Sequence, residues 1–112
     1  MRRRPVTYRP EALDDLRDIF RLVRQWSENT AVAASFVRRI KARCDRIGDA
    51  PHAGRPRDDL AAGLRTVPFE HSAVIAYQVE DDRVRITNIF YGGKDYEALY
   101  RGSQDEPVPD QG

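Results

Sequence analysis

The sequence predicts a single α+β domain, in which an N-terminal strand and an antiparallel helical hairpin are followed by a three-stranded antiparallel sheet and a short C-terminal helical turn. Three features carry that expectation. Residues 10–47 hold two apolar stripes at helical spacing, residues 63–90 hold runs of period two, and Pro51–Arg65 between them fits neither. That connection gathers two glycines, two prolines and three arginines into fifteen residues. Proline lacks the amide donor and glycine lacks conformational restraint, so the stretch neither continues a helix nor enters a sheet before its last positions. It reads as an ordered connection that presents guanidinium groups near the start of a strand.

In chain order, Pro5-Val6-Thr7-Tyr8 is a short strand, and Arg9-Pro10-Glu11 starts a helix, with proline at the first helical position and an acid in the first turn. Leu13, Leu16, Phe20 and Val23 then recur at helical spacing. Ala12, Ile19, Leu22 and Trp26 widen the stripe to about half the circumference, more than the ~100° a surface helix needs. Two roles are open for the excess: contact with a second helix and a sheet together, or an apolar margin left for a partner. Ser27-Glu28-Asn29-Thr30 breaks the pattern and offers Asn29 or Thr30 as a cap. The second helix shows Ala33, Phe36, Val37, Ile40, Cys44 and Ile47 on one side and ends at Gly48. Its other side holds Arg38, Arg39, Lys41, Arg43 and Arg46, a solvated face whose continuity with Arg55, Arg57 and Arg65 hints at more. The short connection makes the helices an antiparallel hairpin.

Past the connection, Gly63–Phe69 is a strand with Pro68 marking an edge or bulge. Ala73–Val79 and Arg83–Phe90 are strands joined by the acidic turn Glu80-Asp81-Asp82. Tyr91-Gly92-Gly93 leaves the last strand, and Glu97-Ala98-Leu99-Tyr100 is a final helical turn. The domain is expected to span residues 1–101, with 102–112 a disordered acidic tail lacking apolar content.

The formal net charge of +1 conceals a gradient. Residues 33–67 carry eight Arg or Lys against four Asp, whereas residues 95–112 carry Arg101 against Asp95, Glu97, Asp105, Glu106 and Asp110. A protein living on nucleic-acid phosphates shows a large overall positive excess, because phosphate neutralisation supplies most of its non-specific affinity. Its absence here favours a protein partner and argues against direct sequence-specific nucleic-acid binding. No apolar run approaches the ~20 residues of a membrane span, and the basic start leads into no apolar signal core, so the expected compartment is the cytoplasm. Cys44 stands alone on the apolar stripe and reads as a buried structural thiol. With only His52 and His71 beside it in the sequence it makes a poor metal set, and no metal or cofactor is expected.

The order of elements carries a family resemblance. Ala12-x3-Leu16-x2-Ile19, then Ile47-x3-Pro51-x2-Gly54-Arg55, then Asp59-Leu60-x2-Gly63-Leu64-Arg65, and the closing Ile89-x2-Gly92-Gly93-Lys94-Asp95-Tyr96 together resemble the ParE branch of the RelE/ParE toxin superfamily over residues 5–100. The resemblance implies a type II toxin held inactive by a ParD-like antitoxin and directed at DNA gyrase, a binding protein and not an enzyme. The alternative it implies is the RelE branch, which cuts messenger RNA on the ribosome by activating a 2′-hydroxyl against the neighbouring phosphate, and so needs a base, an acid and cations. By motif the nuclease set would be Arg65, Lys94 and Tyr100, with Arg55 and Arg57 as loop cations. Arginine is a poor proton carrier and an ordinary tyrosine, at ~10, a weak base, so no catalytic residue is assigned. A third reading is a detoxified module that mainly sequesters its antitoxin.

For the target-facing surface the expectation is the basic rim of Arg55, Arg57, Arg65 and Lys94 with Tyr96 of the C-terminal segment. Arg65 has an equal claim to a structural ion pair with Asp58, Asp59 or an acid of the first helix. Ile19, Leu22 and Trp26 are the antitoxin-binding candidates, with core packing as their competing role. His71 reads as a turn residue, and Tyr91, Tyr96 and Tyr100 as packing aromatics before a platform for bases.

Overall fold

A computed structural model describes residues 3–104. The elements are β1 (Val6–Tyr8), α1 (Pro10–Ser27), α2 (Thr30–Ile47), β2 (Arg55–Pro56), β3 (Leu64–Phe69), β4 (Ala73–Val79), β5 (Val84–Tyr91) and α3 (Tyr96–Gln104). Pro10 opens α1 at its first turn, where its missing N–H costs nothing. Asn29 caps α2, its Oδ1 accepting from the Val32 amide at 3.1 Å.

The sheet has five strands in the order β1-β5-β4-β3-β2, where three were expected. β3, β4 and β5 form the anticipated antiparallel meander. β1 joins its edge in parallel, with Val6 beside Val84 and Tyr8 beside Ile86. β2 adds two residues at the other edge, opposite Arg65 and Thr66. Pro68 therefore lies past the end of β2, on a stretch of β3 edge where no partner strand asks for its missing N–H. Period two shows which face a strand buries but says little about two- or three-residue edge pairings, which explains the shortfall.

Each face of the sheet is covered differently. Val67, Phe69, Ile75, Tyr77, Ile86 and Ile89 pack on the hairpin, whose Ala12, Leu16, Ile19, Val23, Phe36, Ile40, Cys44 and Ile47 complete the main core. The opposite face presents Leu64, Ala76 and Phe90, covered by Leu60 of the β2–β3 connection and by Tyr96 and Tyr100 of α3. A bulge at Thr87 shifts the β4–β5 register, so that Ala76 faces Asn88 while Tyr77 faces Ile86.

The final helical element is longer than expected, nine residues rather than one turn. Asp95 caps it by accepting from the Ala98 amide at 3.2 Å. Tyr96 and Tyr100, one turn apart, both meet Phe90: the first stacks at 5.1 Å and the second approaches edge-on at 6.1 Å. Of the acidic tail expected at 102–112, residues 105–112 lie outside the described residues, and 102–104 belong to α3.

Candidate functional site

The connection from Pro51 to Arg65 is pinned from below by the sheet. The fully buried Tyr77 donates its hydroxyl to the Pro51 carbonyl at 2.8 Å and accepts from the Gly54 amide at 3.0 Å. Gly54 is required there, because a Cβ would overlap the Tyr77 hydroxyl. Arg65 faces Tyr77 across the β3–β4 ladder and directs its Nη1 to the carbonyls of His52 at 2.9 Å and Gly54 at 2.7 Å. The structural ion pair weighed for Arg65 is not formed. Asp58 accepts from the Gly63 amide instead, and Asp59 is held by Arg57.

Arg57 and Tyr96 depart furthest from the expected rim. Arg57 is 6% exposed, and its guanidinium reaches Asp59 at 2.8 Å, Glu97 at 2.7 Å and the Tyr96 hydroxyl at 3.4 Å. The bonds it donates to Asp59, and then those to Glu97, raise its already high pKa. It faces inward as the bolt between the connection and α3, because this chain supplies carboxylates on both sides of it. Tyr96 is committed to Phe90 and to that bolt. Arg55 is exposed, as is Lys94 beyond the paired glycines Gly92 and Gly93, whose φ values are 77° and 76°.

The three residues of the nuclease alternative are not assembled. Arg65 stands on the helix-facing side of the sheet, beside Tyr77, whereas Tyr100 packs on Phe90 of the other side. Tyr100 lines a groove of about 280 Å³ with Arg9, Leu64, Gln78, Thr87 and Asn88, while Lys94 borders a separate one of about 230 Å³ with His71, Ser72 and Phe90. Burial pushes the Tyr100 phenol up, and the nearby Thr87 hydroxyl offsets this only in part. That hydroxyl donates to the Ala76 carbonyl at 3.2 Å, and the buried Tyr100 oxygen has no hydrogen bond of good geometry. A phenol harder to ionise than usual is a poor base at neutral pH. Asp15 of α1 accepts from the Ile89 amide at 2.8 Å and from Asn88 at 3.2 Å, and burial raises its carboxyl pKa despite both bonds.

His71 is exposed at the β3–β4 turn, with φ of 58° after 48° at Glu70. It is a turn residue in the left-handed region, which histidine tolerates better than most. Glu70 ties this turn to α2 through a two-pronged pair with Arg39 at 2.9 and 3.0 Å. Among the described residues no group of three or more His, Cys, Asp or Glu side chains is arranged to hold a metal ion, and no helix is long and apolar enough to cross a membrane.

The hairpin sorts the three antitoxin-binding candidates. Ile19, 2% exposed, is a core residue, because its position on α1 points at the sheet and α2 together. Leu22 and Trp26 are 50% and 66% exposed. Trp26 forms the wall of a groove of about 500 Å³ with Val23, Val32, Phe36, Arg39 and Tyr91. Val32, itself 44% exposed, escaped the sequence reading: on α2 it falls just outside the continuous stripe, and only the hairpin crossing brings it opposite Trp26.

A family model described as "ParE toxin of type II toxin-antitoxin system, parDE" matches residues 6–96 of the chain. No curated protein matches it by sequence. Among solved structures, the chain is similar to one described as "Chromosomal ParDE TA system from P. aeruginosa", with a TM-score of 0.70 and 20% identity, covering 80% of this chain and 96% of that one. At that identity the likeness is one of fold.

Proposed function

We propose, from the premise that this chain belongs to the ParE toxin family of type II toxin–antitoxin systems, that it is a cytoplasmic toxin neutralised by a ParD-like antitoxin and that, once free, it inhibits DNA gyrase without cutting RNA. The observation that carries the choice over a ribosome-dependent nuclease is the division of Arg65 from Tyr100 by the sheet. A base and a stabilising cation must both stand within hydrogen-bond reach of one reacting phosphate, and these two pack on opposite faces. Without an assembled acid–base pair the toxin works by occupying a surface.

The antitoxin seat in this reading is the Trp26 groove. A partner segment that folds on binding recovers its ordering cost by covering apolar area, and Trp26 and Val32 supply it at the groove wall, with Leu22 exposed one turn before Trp26 on α1. Expression of the chain without its partner should arrest growth and leave plasmid DNA relaxed while messenger RNA stays intact. Co-expression of the antitoxin should restore both growth and supercoiling. Arrest accompanied by ribosome-dependent RNA cuts and normal plasmid topology would reverse the choice.

A further inference from the structure

At the β3–β4 turn and the exit of β5 the sheet ends in two cross-strand rows that face opposite ways. Phe69, Ala73 and Tyr91 stand in register and face the hairpin, where Tyr91 meets Phe36 edge-on at 5.6 Å. Pro68, Val74 and Phe90, each one residue further from the turn, stand in register and face the α3 side.

α3 covers that second row only in part. Tyr96, its first residue, stacks on Phe90, and the helix then leads to Tyr100, which lies beside Leu64, Gln78 and Thr87, about four residues along β4 from Val74. Pro68 is left exposed and Val74 half-buried, and both line the groove of about 230 Å³ that Lys94 and His71 border. This groove and the Trp26 groove of about 500 Å³ share two lining residues, Ser72 and Tyr91. One lies on the α3 side and the other on the hairpin side. They meet over the end of the sheet, where the Ser72 carbonyl accepts from the Gly92 amide at 3.1 Å. Among the described residues no carboxylate lines either groove.

We infer that the two grooves form one continuous seat: the antitoxin segment lodged against Trp26 passes over the Ser72–Tyr91 ridge and sets a further apolar side chain, with a carboxylate beside it, into the groove over Val74. The inference rests on the antitoxin reading above and extends its seat to the other side of the sheet. Continuity selects this occupant, because a segment leaving the Trp26 groove at Tyr91 meets the second groove at the same residue. The segment is extended where it crosses. A helix about 10–12 Å across cannot fold round the end of one sheet, whereas an extended chain advances ~3.3 Å per residue and crosses in a few. Side chains hold it there and not an added strand, since Pro68 offers no N–H on the neighbouring edge of β3. Covering Val74 and Pro68 supplies affinity. An exposed pair between Lys94 and the carboxylate adds little affinity and mainly fixes register.

The test is Val74→Arg, which fills the second groove, beside Trp26→Ala in the first and Lys94→Glu at the rim. Each is measured for thermal midpoint, growth arrest and affinity for the co-expressed ParD-like antitoxin. Val74→Arg should fold and bind antitoxin at least tenfold more weakly, and Lys94→Glu about threefold. In Val74→Cys, antitoxin should slow alkylation of the new thiol at least tenfold, and the buried Cys44 does not compete for the reagent. A folded Val74→Arg with the affinity of the parent, or unslowed alkylation in the complex, overturns the inference. So does loss of growth arrest in Val74→Arg with antitoxin affinity unchanged, which would give the groove to the target, or a parent dimer that Val74→Arg abolishes, which would give it to a second copy. Unchanged affinity in Trp26→Ala defeats the proposed Trp26 seat separately, and protection of Val74→Cys still judges the second groove. Should Val74→Arg fail to fold, Lys94→Glu, on an exposed side chain, and the alkylation of Val74→Cys decide the matter.

Discussion

At Gly54 a single missing Cβ makes room for the hydroxyl on which the whole central connection turns. Gly54→Ala should destabilise the chain by about 2–4 kcal/mol in denaturant unfolding, through overlap with Tyr77 and strain on two buried hydrogen bonds. Tyr77→Phe removes the overlapping atom, so the cost of Gly54→Ala should shrink in that background, a coupling that a double-mutant cycle reads directly. Ile19→Ala should cost about 2–5 kcal/mol, as expected of a core position. Cys44 is a further residue with a measurable signature. Burial pushes its thiol up to about 11, and the Tyr8 phenol bonded to it is raised as well. Because the folded value stands above the unfolded one, this stabilisation is fully present below about pH 9 and is lost as the pH rises through about 11. Unfolding free energy should fall over that interval in the parent, and Cys44→Ala should show a shallower fall.

At the scale of elements, the hairpin and the meander were legible because each repeats one period over many residues. Asn29 announced the break between helices, and Gly48 the end of the second. β1 and β2 were less legible as sheet members, since three and two residues carry too short a pattern to reveal a partner. The role of Arg57 was hidden for a different reason. In sequence it stands among arginines, and nothing there shows that Glu97, forty residues on, closes a second ion pair with it. Its partners turn a residue that reads as surface into the anchor of α3. Arg57→Ala should therefore leave the hairpin and the meander intact while α3 loses amide-exchange protection and becomes cleavable by limited proteolysis; unchanged protection at Tyr96–Tyr100 would show that the Phe90 contacts suffice. On the hairpin, Leu22→Glu should weaken antitoxin binding at least tenfold in calorimetry without lowering the thermal midpoint, because half of that side chain already faces water. A loss of folding instead would return Leu22 to the core.

Taken as a whole, the molecule is a sheet with unlike coverings: the hairpin on one side, and α3 with the Leu60 connection on the other. The spaced glycines, prolines and apolar residues marked turns and core positions, and the order of elements read from them carried the family resemblance. Surface roles were less readable, since whether an arginine is spent or available depends on acids brought to it by folding. Arg57 was spent and Arg43 was not, and only the three-dimensional pairing separates them. Strand alternation and the packing of α3 put Arg65 and Tyr100 on opposite faces of the sheet, the basis for reading the chain as a toxin that binds and does not cut. The most direct test is a supercoiling assay with purified gyrase, run beside ribosome-programmed RNA cleavage on one antitoxin-free preparation. Loss of supercoiling with RNA left whole is the predicted result; RNA cut on ribosomes with supercoiling undiminished would contradict it.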